Sequence, residues 1–579
     1  MERAQRFLRV AVLKNAGQDI SSRGQWRLDI SANSVSHERC VLAVEHFSSY
    51  HTERGRPPEM AKKKEIPSAV EAFSWNEAAS AVKGLVMGAG QVEIRSETLF
   101  GTLTSSSNDI SHDVHVANGL PNRISGTRLG TFKGSYRKLL KETGLNTSQK
   151  AAVEAALCRK VTLWQGPPGT GKTKTLVQFV RIHCRSGQGK VLACADSNIA
   201  VDNLLEGLLS EGLAAVRIGQ PVKVKEELRA VTLEARVSVH PLLKRAIEIK
   251  QMAKTRRQNK NKDTPGSLWE EATELEGRAC REVISRADVV AATCIGAGDP
   301  VLDGLRFTAC VIDEATQATE PATLIPLLRS GADCFVLVGD PAQLPPTVVS
   351  KEAVKCGLEV SLFEHMQACG LTPMLLDSQY RMHPALARFS SRNFYEGKLF
   401  SQPLPAERMA PKGYDWPNVE KPLAFVNCSN SKELMRHDSS WQNEVEALQV
   451  VKTVKDLVSG GDIEGGCAGI GIIAPYSAQV KLLQDLFLTQ SEDFSKLEIK
   501  SVDGFQGREK EVIVFCTVRS NDHGALGFVA NPRRMNVAIT RARRGLVVVG
   551  NASTLESSCH WNLWLKEIRE QGLFAPHSH

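Results

Sequence analysis

Two textures divide the chain. From about residue 145 onward, short continuous apolar runs recur between longer stretches with helical spacing: Lys190–Ala195, Val289–Thr293, Cys310–Ile312 and Cys334–Val338, then Leu423–Val426, Ile470–Ile473, Val512–Phe515 and Leu546–Val549. An uninterrupted apolar strand must be covered on both faces, and helices between strands supply that cover. The pattern therefore predicts α/β architecture with parallel sheets. Residues 222–287 break the alternation. They are charged and helical in pattern, with Leu242, Leu243, Ala246 and Ile247 on one face, a basic stretch from Lys254 to Lys262, and a break at Pro265-Gly266. This predicts a helical insertion in the first α/β unit. Upstream, Val10–Leu13, Trp26–Ile30 and Cys40–Val44 read as short strands separated by Ser/Arg/Gly-rich turns, and residues 101–130 as loop. The expected division is a β-rich region over 1–140, a first α/β domain over 141–375 containing the insertion, and a second over 376–579.

Composition narrows the class. The 579 residues are 42% hydrophobic and 23% charged, ordinary for a globular protein, and no apolar run is long enough for a membrane helix. The net charge of +8 permits a nucleic-acid partner without requiring one. The 14 cysteines form no C-x-x-C pair, and several sit in apolar runs (Cys194, Cys294, Cys310, Cys516). Buried free thiols in a reducing, cytoplasmic or nuclear compartment are expected, without a zinc module.

The candidate chemistry begins at Gly166-Pro167-Pro168-Gly169-Thr170-Gly171-Lys172-Thr173. It follows the apolar run Val161–Trp164 and opens a stretch with Leu176, Phe179 and Val180 at helical spacing. A strand, a glycine-rich turn and a helix N-terminus aim backbone N–H groups and a helix dipole at one point, which suits phosphate. Lys172 can reach the terminal phosphates of a nucleoside triphosphate, and the Thr173 hydroxyl can hold Mg²⁺. Downstream, the apolar run before Asp313-Glu314 places two carboxylates at a strand end: Asp313 for the metal, Glu314 for the attacking water. Gln343, in Gly339-Asp-Pro-Ala-Gln343, carries an amide that can sense the γ-phosphate. Arg381 and Arg541, with Arg543, lie in the second half. A guanidinium delivered from another domain would make hydrolysis depend on domain closure.

These segments, in this order, resemble superfamily 1 helicases of the up-frameshift type over residues 145–570. Leu145–Gln149 resembles the adenine-reading Q motif, Ala195–Asp202 motif Ia, Asp313–Thr316 motif II, Gly339–Gln343 motif III, Ser501–Glu509 motif V and Asn536–Arg543 motif VI; Gln379–Pro384 and Ala474–Gln479 fall between them. The resemblance implies two RecA-like domains with ATP and Mg²⁺ in their cleft, and 5′-to-3′ movement on single-stranded RNA or DNA by a monomer. It places Gln149 on the base, Tyr380 stacked on adenine, Arg381 and Arg541 at the γ-phosphate and Glu509 at the ribose. Ser197, Asn198, Thr293, Pro475, Tyr476 and Ser501 would face the strand. Asp288–Asp299, Ile312–Pro321, Phe394–Gly397 and Gly527–Arg534 carry a likeness to the branch acting in nonsense-mediated mRNA decay, which implies mRNA-decay or ribonucleoprotein partners. An ATP-gated clamp that remodels ribonucleoprotein, or a DNA helicase of the same family, are the alternatives. Three departures stand out: no cysteine/histidine zinc domain, a motif III reading Asp-Pro-Ala-Gln-Leu-Pro-Pro, and Asp196 where the family has proline.

Overall fold

A computed structural model of the protein describes residues 136–258, 265–436, 440–490 and 493–575. The strands expected upstream of residue 136, and the tip of the basic stretch after Thr255, lie outside the described residues or side chains.

The first domain is a seven-stranded parallel sheet. Its strands are β1 (Val161–Gln165), β2 (Val191–Ala195), β3 (Ala215–Arg217), β4 (Val289–Thr293), β5 (Ala309–Asp313), β6 (Cys334–Gly339) and β7 (Met374–Leu375), in the order β3-β4-β2-β5-β6-β1-β7. Strands β2 and β5 are buried at every position, which is why they read as continuous apolar runs. One face packs on helices that include α1 (Thr147–Cys158), α2 (Lys172–Arg185) and α3 (Asn198–Ser210). The other is covered by a second cluster containing Leu192, Val290, Ile312, Leu337 and Phe363. Ligand positions in such sheets lie at the carboxyl ends of the strands, and the glycine-rich turn after β1 and the carboxylates after β5 are there.

Between β3 and β4 the chain forms the expected insertion, an antiparallel pair of helices α4 (Pro241–Gln258) and α5 (Pro265–Ser285). Its seam is narrower than the sequence suggests. Ala246 and Ile249 are buried against Ala272, but Ile247 is exposed, because a two-helix hairpin covers only one stripe of each helix.

The second domain is a five-stranded parallel sheet. Two short strands, β8 (Ser378–Gln379) and β9 (Phe400–Ser401), pair with each other ahead of it, on either side of helix α6 (Pro384–Phe394). The sheet then comprises β10 (Leu423–Asn427), β13 (Ile470–Ile473), β14 (Glu498–Lys500), β15 (Lys510–Cys516) and β16 (Ala542–Gly550), in the order β10-β16-β15-β13-β14. The remaining pair, β11 (Leu434–Met435) and β12 (Trp441–Gln442), is a small antiparallel ribbon. Helices α7 (Glu444–Ser459), α8 (Ser477–Leu488), α9 (Pro532–Ile539) and α10 (Cys559–Glu570) flank the sheet. Leu344, from the first domain's motif III loop, is buried in the core of the second. The cysteines expected to be buried (Cys194, Cys294, Cys310, Cys516) are buried, and the cysteines among the described residues form no disulfide.

Candidate nucleotide cleft and strand-facing edge

The glycine-rich turn is shaped by close approaches that only glycine permits. Gly169 and Gly171 have positive φ, +75° and +73°. A Cβ on Gly169 would stand 2.6 Å from Cβ of Arg381, so this glycine lets the second domain's arginine reach the turn. A Cβ on Gly166 would fall inside the Lys172 side chain, which folds back so that Nζ donates to the Gly166 carbonyl at 3.0 Å. The same Nζ lies 3.6 Å from Glu314 Oε1.

Thr173 Oγ1 donates to Asp313 Oδ2 at 2.8 Å, joining the helix N-terminus to the end of β5. Burial, reinforced by Glu314, pushes the Asp313 carboxyl up to about 6. Glu314 adopts a left-handed backbone (φ 50°), and Gln317 Nε2 donates to its Oε2 at 2.8 Å. A non-glycine residue held there marks a site where local strain is kept for side-chain placement.

The second domain closes the cleft. Arg381 pairs with Glu509 and donates from Nη1 to the Thr540 carbonyl at 3.1 Å. Burial would raise Glu509, but the surrounding Arg381, Arg543 and Arg541 hold it below the ordinary range. Arg541 is 2% exposed; it donates to Gln343 Oε1 at 3.2 Å and to Thr540 Oγ1 at 3.1 Å. Burial, with Arg381 nearby, lowers it to about 9. A cavity of about 290 Å³ opens among Pro167 to Lys174, Glu314, Gln343, Tyr380, Arg381, Gly507, Glu509 and Arg541. The sequence-predicted P-loop, glutamate, amide and arginines therefore converge on one cavity from two domains.

Gln149 has a different place from the one expected. It is 3% exposed, with Nε2 donating to the Thr170 carbonyl at 2.9 Å and Oε1 accepting from the Asn146 N–H at 3.0 Å. Both ends of its amide are committed to backbone, so it braces the glycine-rich turn and closes the capping box of α1 rather than lining the cavity. The half-exposed Tyr380 does line it, and its hydroxyl accepts from Asn146 Nδ2 at 2.9 Å.

The six residues expected to face a strand lie at the carboxyl ends of β2, β4, β13 and β14. Ser197 is exposed and caps α3. Thr293 and Ser501 are half-buried, their hydroxyls accepting from Gly296 N and Gly504 N. Pro475 is half-buried. Asn198 turns its Oδ1 inward to accept from Arg217 at 2.8 Å. Tyr476 is a correction to a surface role. It is 5% exposed, and its hydroxyl donates to the Leu526 carbonyl and accepts from Arg519. What it supports is exposed: Phe528 stands 5.9 Å away between ring centroids, 56% exposed, with the Arg534 guanidinium 5.0 Å from its own ring. Phe528 lies in the Gly527–Arg534 segment that carries the resemblance, but no spacing singles out its ring, which packs on Tyr476, 52 positions upstream.

Two residues outside the predicted set join the cleft's halves. Tyr395 is buried and donates to Asp340 Oδ2 at 2.7 Å; Asn536 Nδ2 donates to the Tyr395 hydroxyl and to the Ala342 carbonyl, each at 2.9 Å. Asn536 opens the segment that resembles motif VI, but no spacing in the sequence signals that it pairs with Tyr395.

Comparison with known proteins agrees with this arrangement. Two AAA-domain family models match, one over residues 144–264 and 242–351, the other over 358–553. The "Regulator of nonsense transcripts 1 homolog" of Arabidopsis thaliana is 38% identical over 438 residues, covering 74% of this chain and 34% of that protein. The "Putative regulator of nonsense transcripts 1" of Takifugu rubripes is 40% identical over 437 residues (74% and 39%). The "ATP-dependent helicase NAM7" of Saccharomyces cerevisiae is 38% identical over 439 residues (74% and 44%). The chain thus spans less than half the length of these relatives. With its two RecA-like sheets and its shared cleft, the chain belongs to the up-frameshift group of superfamily 1 helicases.

Proposed function

We propose that this chain is an ATP-dependent translocase on single-stranded nucleic acid, and that RNA is its working strand. The observation that carries the reading is the convergence of Lys172, Glu314 and Gln343 from one domain with Arg381 and Arg541 from the other on one cavity. A fixed ATPase site needs no second domain; a site completed only across a cleft links phosphate chemistry to domain motion.

Lys172 would exchange its Gly166 carbonyl and Glu314 contacts for phosphate oxygens, and the glycine-rich turn would present its N–H groups to them. Glu314, released from Lys172, would orient the attacking water and accept its proton. Arg381 and Arg541 would stabilise charge on the transferred phosphoryl group. The donor set fits Mg²⁺: a hydroxyl and a carboxylate, both hard oxygens, joined at 2.8 Å beside the cavity. Thr173 and Asp313 would hold that ion together with the nucleotide phosphates, and it would neutralise phosphate charge when bound.

The strand would lie along the carboxyl edges of both sheets. Hydroxyls and amides there suit phosphate and sugar, and so favour translocation without sequence preference. The relatives' names, regulators of nonsense transcripts, favour RNA and a place in mRNA quality control. The test is ATP hydrolysis with matched single-stranded RNA and DNA, followed by strand displacement from substrates with 5′ or 3′ overhangs. The expected result is stimulation by RNA and displacement from 5′ overhangs. Stimulation without displacement would support a clamp instead, and no stimulation by either strand would overturn the proposal.

A further inference from the structure

Asp340, Gln343, Tyr395, Asn536 and Arg541 form a closed ring of hydrogen bonds that crosses the domain cleft twice. Asp340 Oδ2 accepts from Gln343 Nε2 at 2.5 Å and from the Tyr395 hydroxyl at 2.7 Å. The Tyr395 oxygen accepts from Asn536 Nδ2 at 2.9 Å, and Ser390 Oγ donates to Asn536 Oδ1 at 2.6 Å. Arg541 closes the ring. It donates to Gln343 Oε1 at 3.2 Å, and its Nε donates at 2.9 Å to the carbonyl of Val537, the residue after Asn536. All five side chains are at most 4% exposed.

The chemistry of the ring fixes its polarity. An ionised carboxylate can only accept, so Asp340 compels Gln343 to point its NH₂ inward and its carbonyl oxygen toward Arg541. Tyr395 donates its one proton to Asp340, which leaves its oxygen to accept from Asn536. Burial beside Asp340 keeps the phenol far from ionising, so it remains a donor. Asp340 is also tied to the loop after β5, because its backbone N–H donates to Thr316 Oγ1 at 3.1 Å, three residues after Asp313. Among the described residues, Tyr395 is the second-domain side chain bonded to Asp340, the carboxylate that accepts from Gln343.

We infer that Tyr395 is a positioning residue that sets the amide orientation of Gln343 and ties it to α9, the helix that leads into Arg541, so that nucleotide hydrolysis and domain closure stay in step. The inference deepens the ATPase reading above and rests on it. Tyr395 touches no substrate; it acts through Asp340 and Gln343.

The test is Tyr395→Phe in the full chain, which removes one hydroxyl and keeps the ring. The RNA-stimulated kcat for ATP is expected to fall at least about tenfold, with KM for ATP within about twofold of wild type. Combining it with Asn536→Ala should slow the enzyme no further than the slower single variant, because both break one chain. A purely structural role would lower the thermal midpoint and leave kcat per folded molecule unchanged, and that result would overturn the inference. If Tyr395→Phe does not fold, Ser390→Ala at the far end of the chain takes its place. There the expected result is a fall of about two- to fivefold in kcat at unchanged KM, and a normal kcat would overturn the inference. A wild-type chain without RNA-stimulated hydrolysis would overturn the parent reading and this one together; a stimulated wild type with an equally active Tyr395→Phe would overturn this one alone.

Discussion

Arg541 donates to Gln343 across 3.2 Å, from a helix end in the second domain to a loop in the first. Among the described residues the guanidinium has no carboxylate within ion-pairing distance, and its hydrogen-bond partners are Gln343, the Thr540 hydroxyl and the Val537 carbonyl. Glu314 and Glu509 act on it only from beyond contact distance, so a buried guanidinium with no direct ion pair is poised for an anion, and a triphosphate supplies one. Arg541→Ala is expected to lower the strand-stimulated kcat by about 10³-fold or more, the scale at which arginine fingers act. Arg541→Lys should recover little, because an ammonium cannot span Gln343 and Thr540 from one planar group. Steady-state phosphate release at saturating RNA measures both.

Lys172 and Glu314 are 3.6 Å apart but should fail differently. Glu314→Gln keeps the shape and removes the base, so nucleotide should still bind while kcat falls about 10²- to 10⁴-fold. Lys172→Ala removes a phosphate contact and should weaken nucleotide binding as well. Neither residue is on the strand-facing edge, so fluorescence anisotropy with labelled RNA in the absence of nucleotide should be unchanged for both. Loss of RNA binding by either variant would contradict the separation of the two sites.

Gly169 offers a test of cleft geometry with an internal control. Gly169→Ala carries the left-handed backbone cost, about 1–2 kcal/mol, and also drives a Cβ to within 2.6 Å of Arg381 Cβ. Gly187 has a similar φ of +72° with nothing within 4 Å. Both alanine variants should lose thermal stability, Gly169→Ala the more because of the added clash, but only Gly169→Ala should displace Arg381 and lower kcat, by about tenfold or more.

The legible parts of the site were those whose chemistry is written in consecutive residues. The glycine-rich turn, Asp313-Glu314 and the strands before them are local, and burial on both sheet faces made those strands visible as apolar runs. The seam of the insertion was legible except at Ile247, because a helical stripe read from four residues does not say how wide its partner is. Gln149 shows a different limit. An amide at a helix start fits a base and a capping box equally well, and only the position of Thr170 decides between them. Tyr395 and Asn536 are 141 positions apart, and although Asn536 opens the motif VI segment, nothing in the sequence links the two; their pairing exists only once the second domain has folded.

Phe528 is expected to act on the strand through its ring. Base–aromatic stacking contributes about 1–3 kcal/mol, so Phe528→Ala should weaken RNA binding about 5- to 150-fold. Phe528→Trp keeps a π face and should bind within a few fold of wild type. Because the ring neutralises no phosphate, the slope of log affinity against log salt should be the same for Phe528→Ala and wild type. A changed slope would mean that the loop, with Arg534, has moved.

Under the strand-facing edge of the first domain, Arg217 and Asp202 form a buried ion pair, with Nε 3.2 Å from Oδ1 and both side chains at most 3% exposed. Its surroundings satisfy both partners: Asp202 Oδ2 accepts from the Lys225 N–H at 3.0 Å, and Arg217 donates to Asn198 Oδ1 and to the Ile218 carbonyl. Burial lowers the arginine from its ordinary value and Asp202 offsets part of that, so the pair is stable only as a pair. Asp202→Ala should therefore cost about 3–5 kcal/mol in chemical denaturation, because it strands a guanidinium in the core. The double variant Asp202→Leu with Arg217→Met removes both charges and should regain most of that loss. It should nonetheless bind RNA more weakly than wild type, because Asn198 at the start of α3 is then no longer held by Arg217. The two measurements separate what the pair does for folding from what it does for the edge above it. A double variant that binds RNA as wild type does would leave the pair a purely structural one.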